Sequence, residues 1–133
     1  MSPLLKTLLL IFEEMYHFVF PLSEDERMIK DLSPNQFLTK LSVKNKSGCI
    51  TLTNFSDPEI RAAIHLTKFH RQTKSIELLS TLLEAYLSAH ISSLSIIIPV
   101  PLSTKRHRKR GYNQVELVAK FACAQSKEFN TDV

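Results

Sequence analysis

Five of the chain's 17 Lys and Arg stand within six consecutive positions, Lys105, Arg106, Arg108, Lys109 and Arg110, interrupted only by His107. Without them the chain carries 12 basic against 13 acidic side chains, so the formal net charge of +4 belongs to one short segment. A general attraction for nucleic acid or membrane spreads its charge over a face; a single cationic focus favours a compact anion. Guanidinium groups grip phosphate oxygens in bidentate pairs, and ammonium groups act as point charges, so phosphate is the chemistry these residues can recognise. Like charges also repel, which predicts an open, mobile loop when empty, with Gly111 as the permissive position that lets it fold over a ligand. A solvated basic loop accounts for the charge equally well, and the same run fits a nuclear-targeting or RNA-binding pattern.

The elements that would position this loop are legible around it. "SLSIIIPVP", ending at Pro101, is short, continuously apolar and β-branched, the pattern of a strand buried on both faces of a parallel sheet. Pro99 and Pro101 restrict φ and make the turn rigid. In open α/β sheets ligands bind beyond the carboxyl ends of strands, which is where a loop leaving Ile98 would lie. The next helix starts at "NQVEL", with Asn113 as cap and Glu116 in a capping-box relation, and turns Val118, Phe121 and Ala122 toward the sheet.

Upstream, residues 75–91 repeat Ile76, Leu79, Leu83, Tyr86 and Leu87 at helical spacing. Before them, Asp57 and Pro58 start a helix whose packed face is Ile60, Ala63, Ile64 and Thr67. "GCITLTNF" reads as a strand from Cys49 to Phe55. Residues 4–19 form an amphipathic helix ended by Pro21, followed by the acidic trio Glu24, Asp25 and Glu26. A short helix then begins at "SPNQF", with Ser33 as cap and Pro34 in its first turn. Helix, strand, loop, helix is an α/β order. The expected division is an N-terminal helical appendage over 1–47 and an α/β domain over 48–133.

Composition restricts the function classes. With 44% hydrophobic and 23% charged residues and a mean hydropathy of −0.05, the chain can bury a core and is not a disordered one. No run approaches the ~18 apolar residues of a membrane span, so no membrane partner is expected. Cys49 and Cys123 lack the spacing and neighbours of a zinc site, which predicts no zinc and reduced, buried thiols in a cytoplasmic protein. The five His share no metal-binding spacing.

Taken as one block, "IIIPVPLSTKRHRKRGYNQVELVAK" resembles the signature of the ComF family, phosphoribosyltransferase-like proteins linked to competence. The matching parts are an apolar strand, P-V-P-L, a basic loop, then R-G-Y-N-Q and a helix. "DPEIRAAIHLTKFHRQTKSIELLSTLLEAYL", with its Lys68–Phe69 pair, is similar to the family's preceding stretch, so the likeness covers most of residues 1–125. It implies a type I phosphoribosyltransferase fold, a parallel sheet flanked by helices, acting on phosphoribosyl pyrophosphate (PRPP) with Mg²⁺.

The same resemblance implies a pyrophosphate loop at Pro99, Val100, Pro101 and Leu102, and a mobile basic loop from Lys105 to Gly111 through Arg106, Arg108, Lys109 and Arg110. Lys68, Tyr112, Asn113 and Gln114 are further candidates. Many family members carry a four-cysteine zinc ribbon that this sequence lacks. The family's acidic Thr-Gly motif, which grips the ribose and its 5′-phosphate, is also missing, implying a chain truncated before that strand and not catalytic alone. The implied partners are PRPP or another phosphate ligand and, through DNA uptake, single-stranded DNA or DNA-processing proteins, with a homodimer also admissible. The alternative is a non-catalytic nucleic-acid or partner-binding module built on residues 105–110, for which only Tyr112 offers an adjacent aromatic ring.

Overall fold

A computed structural model describes residues 3–91 and 95–126. Among them the chain forms seven helices: α1 (Pro3–Val19), α2 (Glu24–Lys30), α3 (Pro34–Leu38), α4 (Pro58–Phe69), α5 (Thr73–His90), α6 (Thr104–Arg110) and α7 (Gln114–Gln125). The only sheet among these residues is an antiparallel hairpin of β1 (Lys44–Lys46) and β2 (Cys49–Thr51), with Asn45 opposite Ile50. Its turn uses Ser47 and Gly48, both at positive φ.

Local chemistry sets most helix starts. Ser23 and Glu26 close a reciprocal capping box on α2, so the acidic trio is that helix's first turn, where carboxylates offset the positive end of the dipole. Ser33 and Gln36 do the same for α3, with Pro34 as its first residue. Asp57 accepts from the amides of Glu59 and Ile60 and so caps α4, as its sequence predicts.

The core lies where α2 and α3 meet α4 and α5. Ile29, Phe37, Ile60, Ala62, Ala63, Leu66, Leu78 and Leu82 form one buried cluster. Full burial of an Ile, Leu or Phe side chain contributes about 1.5–3 kcal/mol, so this cluster dominates the fold. α7 packs along α5, where the single proton of the Ser80 hydroxyl is shared between the carbonyls of Ile76 and Val118, 2.7 and 3.1 Å away. Small buried residues on α7, Ala119, Ala122 and Cys123, allow that close approach.

The parallel α/β sheet does not form. Residues 96–98 join no ladder, and Ile96 and Ile98 are 86% and 81% exposed. A strand needs a neighbour to take its amides and carbonyls, and the described β residues pair only with each other. The first two positions of "SLSIIIPVP", and the C-terminal "KEFNTDV", lie outside the described residues. The strand from Cys49 to Phe55 shortens to Cys49–Thr51, because residues 54–57 turn into the α4 cap. Phe121 is exposed rather than packed on a sheet, and Cys49 is exposed, so only Cys123 is a buried thiol.

Lys40 locks the entry to α4 with ion pairs to Asp57 at 2.7 Å and Glu59 at 2.6 Å. Hydrogen bonds to those two carboxylates hold its ammonium above the ordinary lysine range. Burial pushes the Asp57 carboxyl up, but Lys40 and the amides of Ile60 and Glu59 outweigh it and hold it below the usual range. Asp57 therefore adds stability at neutral pH that is lost as pH falls below about 4 and its folded form takes up a proton. Lys40 adds stability lost only as pH rises above about 10.5. Asp57→Ala should lower urea-measured stability at pH 7 by about 0.5–2 kcal/mol, as for other lost N-caps. Repeated well below pH 4, the penalty should shrink; a penalty independent of pH would contradict the ion-pair account.

Candidate anion-binding site

The expected basic loop is a helix. Ser103 caps it by accepting from the amide of Arg106, and Gly111 stops it at φ 76°, with its N–H donating to the carbonyl of His107. Lys and Arg are good helix formers, and a glycine in the left-handed region is the usual stop, so intrinsic preference outweighs repulsion between cations already surrounded by water. The last turn's basic residues also face the negative end of the helix dipole. No residue of α6 is buried.

Helical geometry sorts the cations. Arg106, Lys109 and Arg110 are spaced i, i+3 and i+4 and share one face. With Phe69 and Tyr112 they line a cleft of about 390 Å³. Lys105 and Arg108 do not line it, and both are exposed. The Arg110 guanidinium sits 5.3 Å from the Phe69 ring centre and donates to Gln114 Oε1 at 3.2 Å. Lys68 Nζ lies 5.0 Å from the same ring, so two cations flank one aromatic that is itself 53% exposed.

Tyr112 holds this cleft to the core. Its hydroxyl donates to the carbonyl of Thr67 at 2.8 Å and accepts from the amide of Arg71 at 3.1 Å. The end of α4 thus receives a partner for one carbonyl and one neighbouring amide from a residue more than forty positions later. Arg71 has φ 50°, a left-handed conformation that costs a non-glycine residue about 1 kcal/mol or more. Its guanidinium lies 5.6 Å from the Tyr112 ring centre. Behind it, Thr67 donates to Ser75 at 2.8 Å and Ser75 donates to the carbonyl of Gln72, binding the turn to the start of α5.

The sequence-predicted site residues divide between two places. Arg106, Lys109, Arg110 and Tyr112 meet at the cleft, with Lys68 beside Phe69 and Gln114 on Arg110. Pro99 and Pro101 instead line a groove of about 550 Å³ against α7. Val100 is exposed, and its carbonyl accepts from Asn113 Nδ2 at 2.9 Å. Asn113 caps α7 through the amide of Val115. Glu116 makes no capping box but pairs with Lys120 at 2.8 Å, whose ammonium holds its carboxyl below the usual range. The larger groove is therefore apolar with an internally neutralised rim, and anion chemistry belongs to the smaller cleft.

Phe69 and Arg71 are additions that sequence reading did not place in the site. Only the Lys68–Phe69 pair hinted at the first. For α6 the signal was present: Ser103 before it, Gly111 after it, and cations at i, i+3 and i+4. The lining residues include no carboxylate, so they do not furnish a Mg²⁺ site. Among the described residues no group of three His, Cys, Asp or Glu could hold a metal ion, and no helix is long and apolar enough to cross a membrane.

Tyr112→Phe keeps the ring but removes both hydroxyl hydrogen bonds, and should cost about 1–3 kcal/mol because a buried-side carbonyl loses its donor. Urea denaturation measures the loss, and an unchanged midpoint would mean that water replaces the hydroxyl. Comparison with protein-family models, curated proteins and solved structures finds no match for this chain.

Proposed function

We propose that the α6 cleft binds a phosphorylated ligand, with the diphosphate of PRPP as its best candidate, and that this chain holds that ligand without turning it over. The observation that carries the reading is the convergence of Arg106, Lys109 and Arg110 on one face above a cleft whose lining contains no carboxylate. Arg106 and Arg110 would take phosphate oxygens in bidentate pairs and Lys109 would add a point charge. The likeness of the P-V-P-L to R-G-Y-N-Q block to the ComF signature supports PRPP among phosphate ligands, and with it a cytoplasmic role beside DNA uptake. The Tyr112 hydroxyl is already engaged by Thr67 and Arg71, and any Mg²⁺ would come on the ligand's own oxygens.

A second reading, single-stranded DNA, is favoured by one observation. Phe69 offers an exposed ring flanked by Lys68 and Arg110, a surface on which a base can stack while the cations take its phosphates. The aromatic that residues 105–112 lack is thus supplied from α4.

Calorimetry with PRPP separates the two. Heat that is lost with Arg106→Ala or Arg110→Ala, each weakening binding about tenfold or more, and kept with Phe69→Ala, supports the first reading. No heat with PRPP, together with oligothymidine binding that falls steeply with salt and is lost with Phe69→Ala, supports the second. Absence of both bindings refutes the site.

A further inference from the structure

Residues 95–101 lie beside α7 outside any helix or ladder, and the two sides of this segment differ with the period of two that marks an extended chain. Ile97, Pro99 and Pro101 line the groove against Ala119 and Cys123. Ile96, Ile98 and Val100 alternate with them and stand 86%, 81% and 72% exposed. Among the described residues, the backbones of Ile96, Ile97 and Ile98 make no hydrogen bond. Three β-branched side chains in a row with free backbone groups between them form an open strand edge, which folded proteins ordinarily cover or blunt.

The edges are not equivalent. In an extended chain successive residues direct their N–H and C=O to opposite sides, so residues 96, 98 and 100 share one edge and 97, 99 and 101 the other. Pro99 and Pro101 have no N–H, which disables the second edge for pairing. On the first edge Ile96 and Ile98 retain both donor and acceptor. Asn113 occupies the carbonyl of Val100 and so limits that edge at its C-terminal end.

We propose that two copies of this chain pair through that edge, antiparallel, about a two-fold axis at Ile97. In this register Ile96 faces the partner's Ile98 and Ile98 faces the partner's Ile96, each pair exchanging both of its N–H···O bonds. Ile97 faces itself across the axis in a non-hydrogen-bonded position, and Pro99 falls in the same class, where a missing N–H costs nothing. The segment is thus its own complement: its only full donors meet its only full donors, and both prolines point away from the seam. A closed two-fold pairing also uses up the exposed edge, so association stops at the dimer.

Sedimentation equilibrium of the purified chain should show a monomer–dimer equilibrium. Ile98→Pro deletes a donor on the pairing edge and should leave a monomer with an unchanged helical circular dichroism signal. Ile97→Pro deletes a donor on the other edge and should leave the dimer. Non-hydrogen-bonded partners have Cα atoms about 4.5 Å apart, within the span a disulfide bridges. Ile97→Cys, with Cys49→Ser and Cys123→Ala, should therefore give a covalent dimer under mild oxidation. A monomer at every concentration reached, a dimer indifferent to Ile98→Pro, or one that Ile97→Pro breaks as readily would each overturn the proposal.

Discussion

One hydroxyl group joins the chemistry of this molecule to its core. Tyr112 reaches from the turn after α6 to the end of α4, where a helix leaves backbone groups that need partners, and supplies one to Thr67 and one to Arg71. Without that link α6 would be tied to the rest by Gly111, the chain on either side and a few ring contacts, because it buries no residue of its own. The cationic face would then have no fixed relation to Phe69. Its placement is a consequence of satisfying the backbone of a different helix.

How much of this could be read from residues alone depended on how local the cause was. Ser33, Asp57 and Asn113 announced helix starts because a cap acts within three positions, and the apolar spacing of α5 announced its length. The expected strand at Ile96–Ile98 does not form because a β-branched run says only that a residue suits a ladder, while the ladder itself depends on a neighbour. The basic segment differs from the expected loop for the opposite reason: the local start and stop at Ser103 and Gly111 outweigh repulsion among its cations. Arg71 is beyond reach of local reasoning, since what brings it beside the site is Tyr112, far away in sequence.

The electrostatic design divides the molecule. Acidic groups are paired away from the cleft, where Asp57 and Glu59 share Lys40, Asp25 lies 2.6 Å from His65 and Glu116 meets Lys120. The cations of α6 have no such partners in the cleft, so their charge remains available to a ligand. Aromatic rings stand where carboxylates would otherwise neutralise them, and a ring face steadies a guanidinium without cancelling it.

The left-handed turn at Arg71 gives this arrangement a mechanical character. Its amide is held by the tyrosine, its side chain rests on that tyrosine's ring, and the next residues start α5 through the buried hydroxyls of Ser75 and Thr67. Arg71 does not line the cleft, so this turn meets the site only through the Tyr112 ring, which does. The turn is a splice at which one tyrosine and two buried hydroxyls fasten the end of α4, the start of α5 and the cleft together.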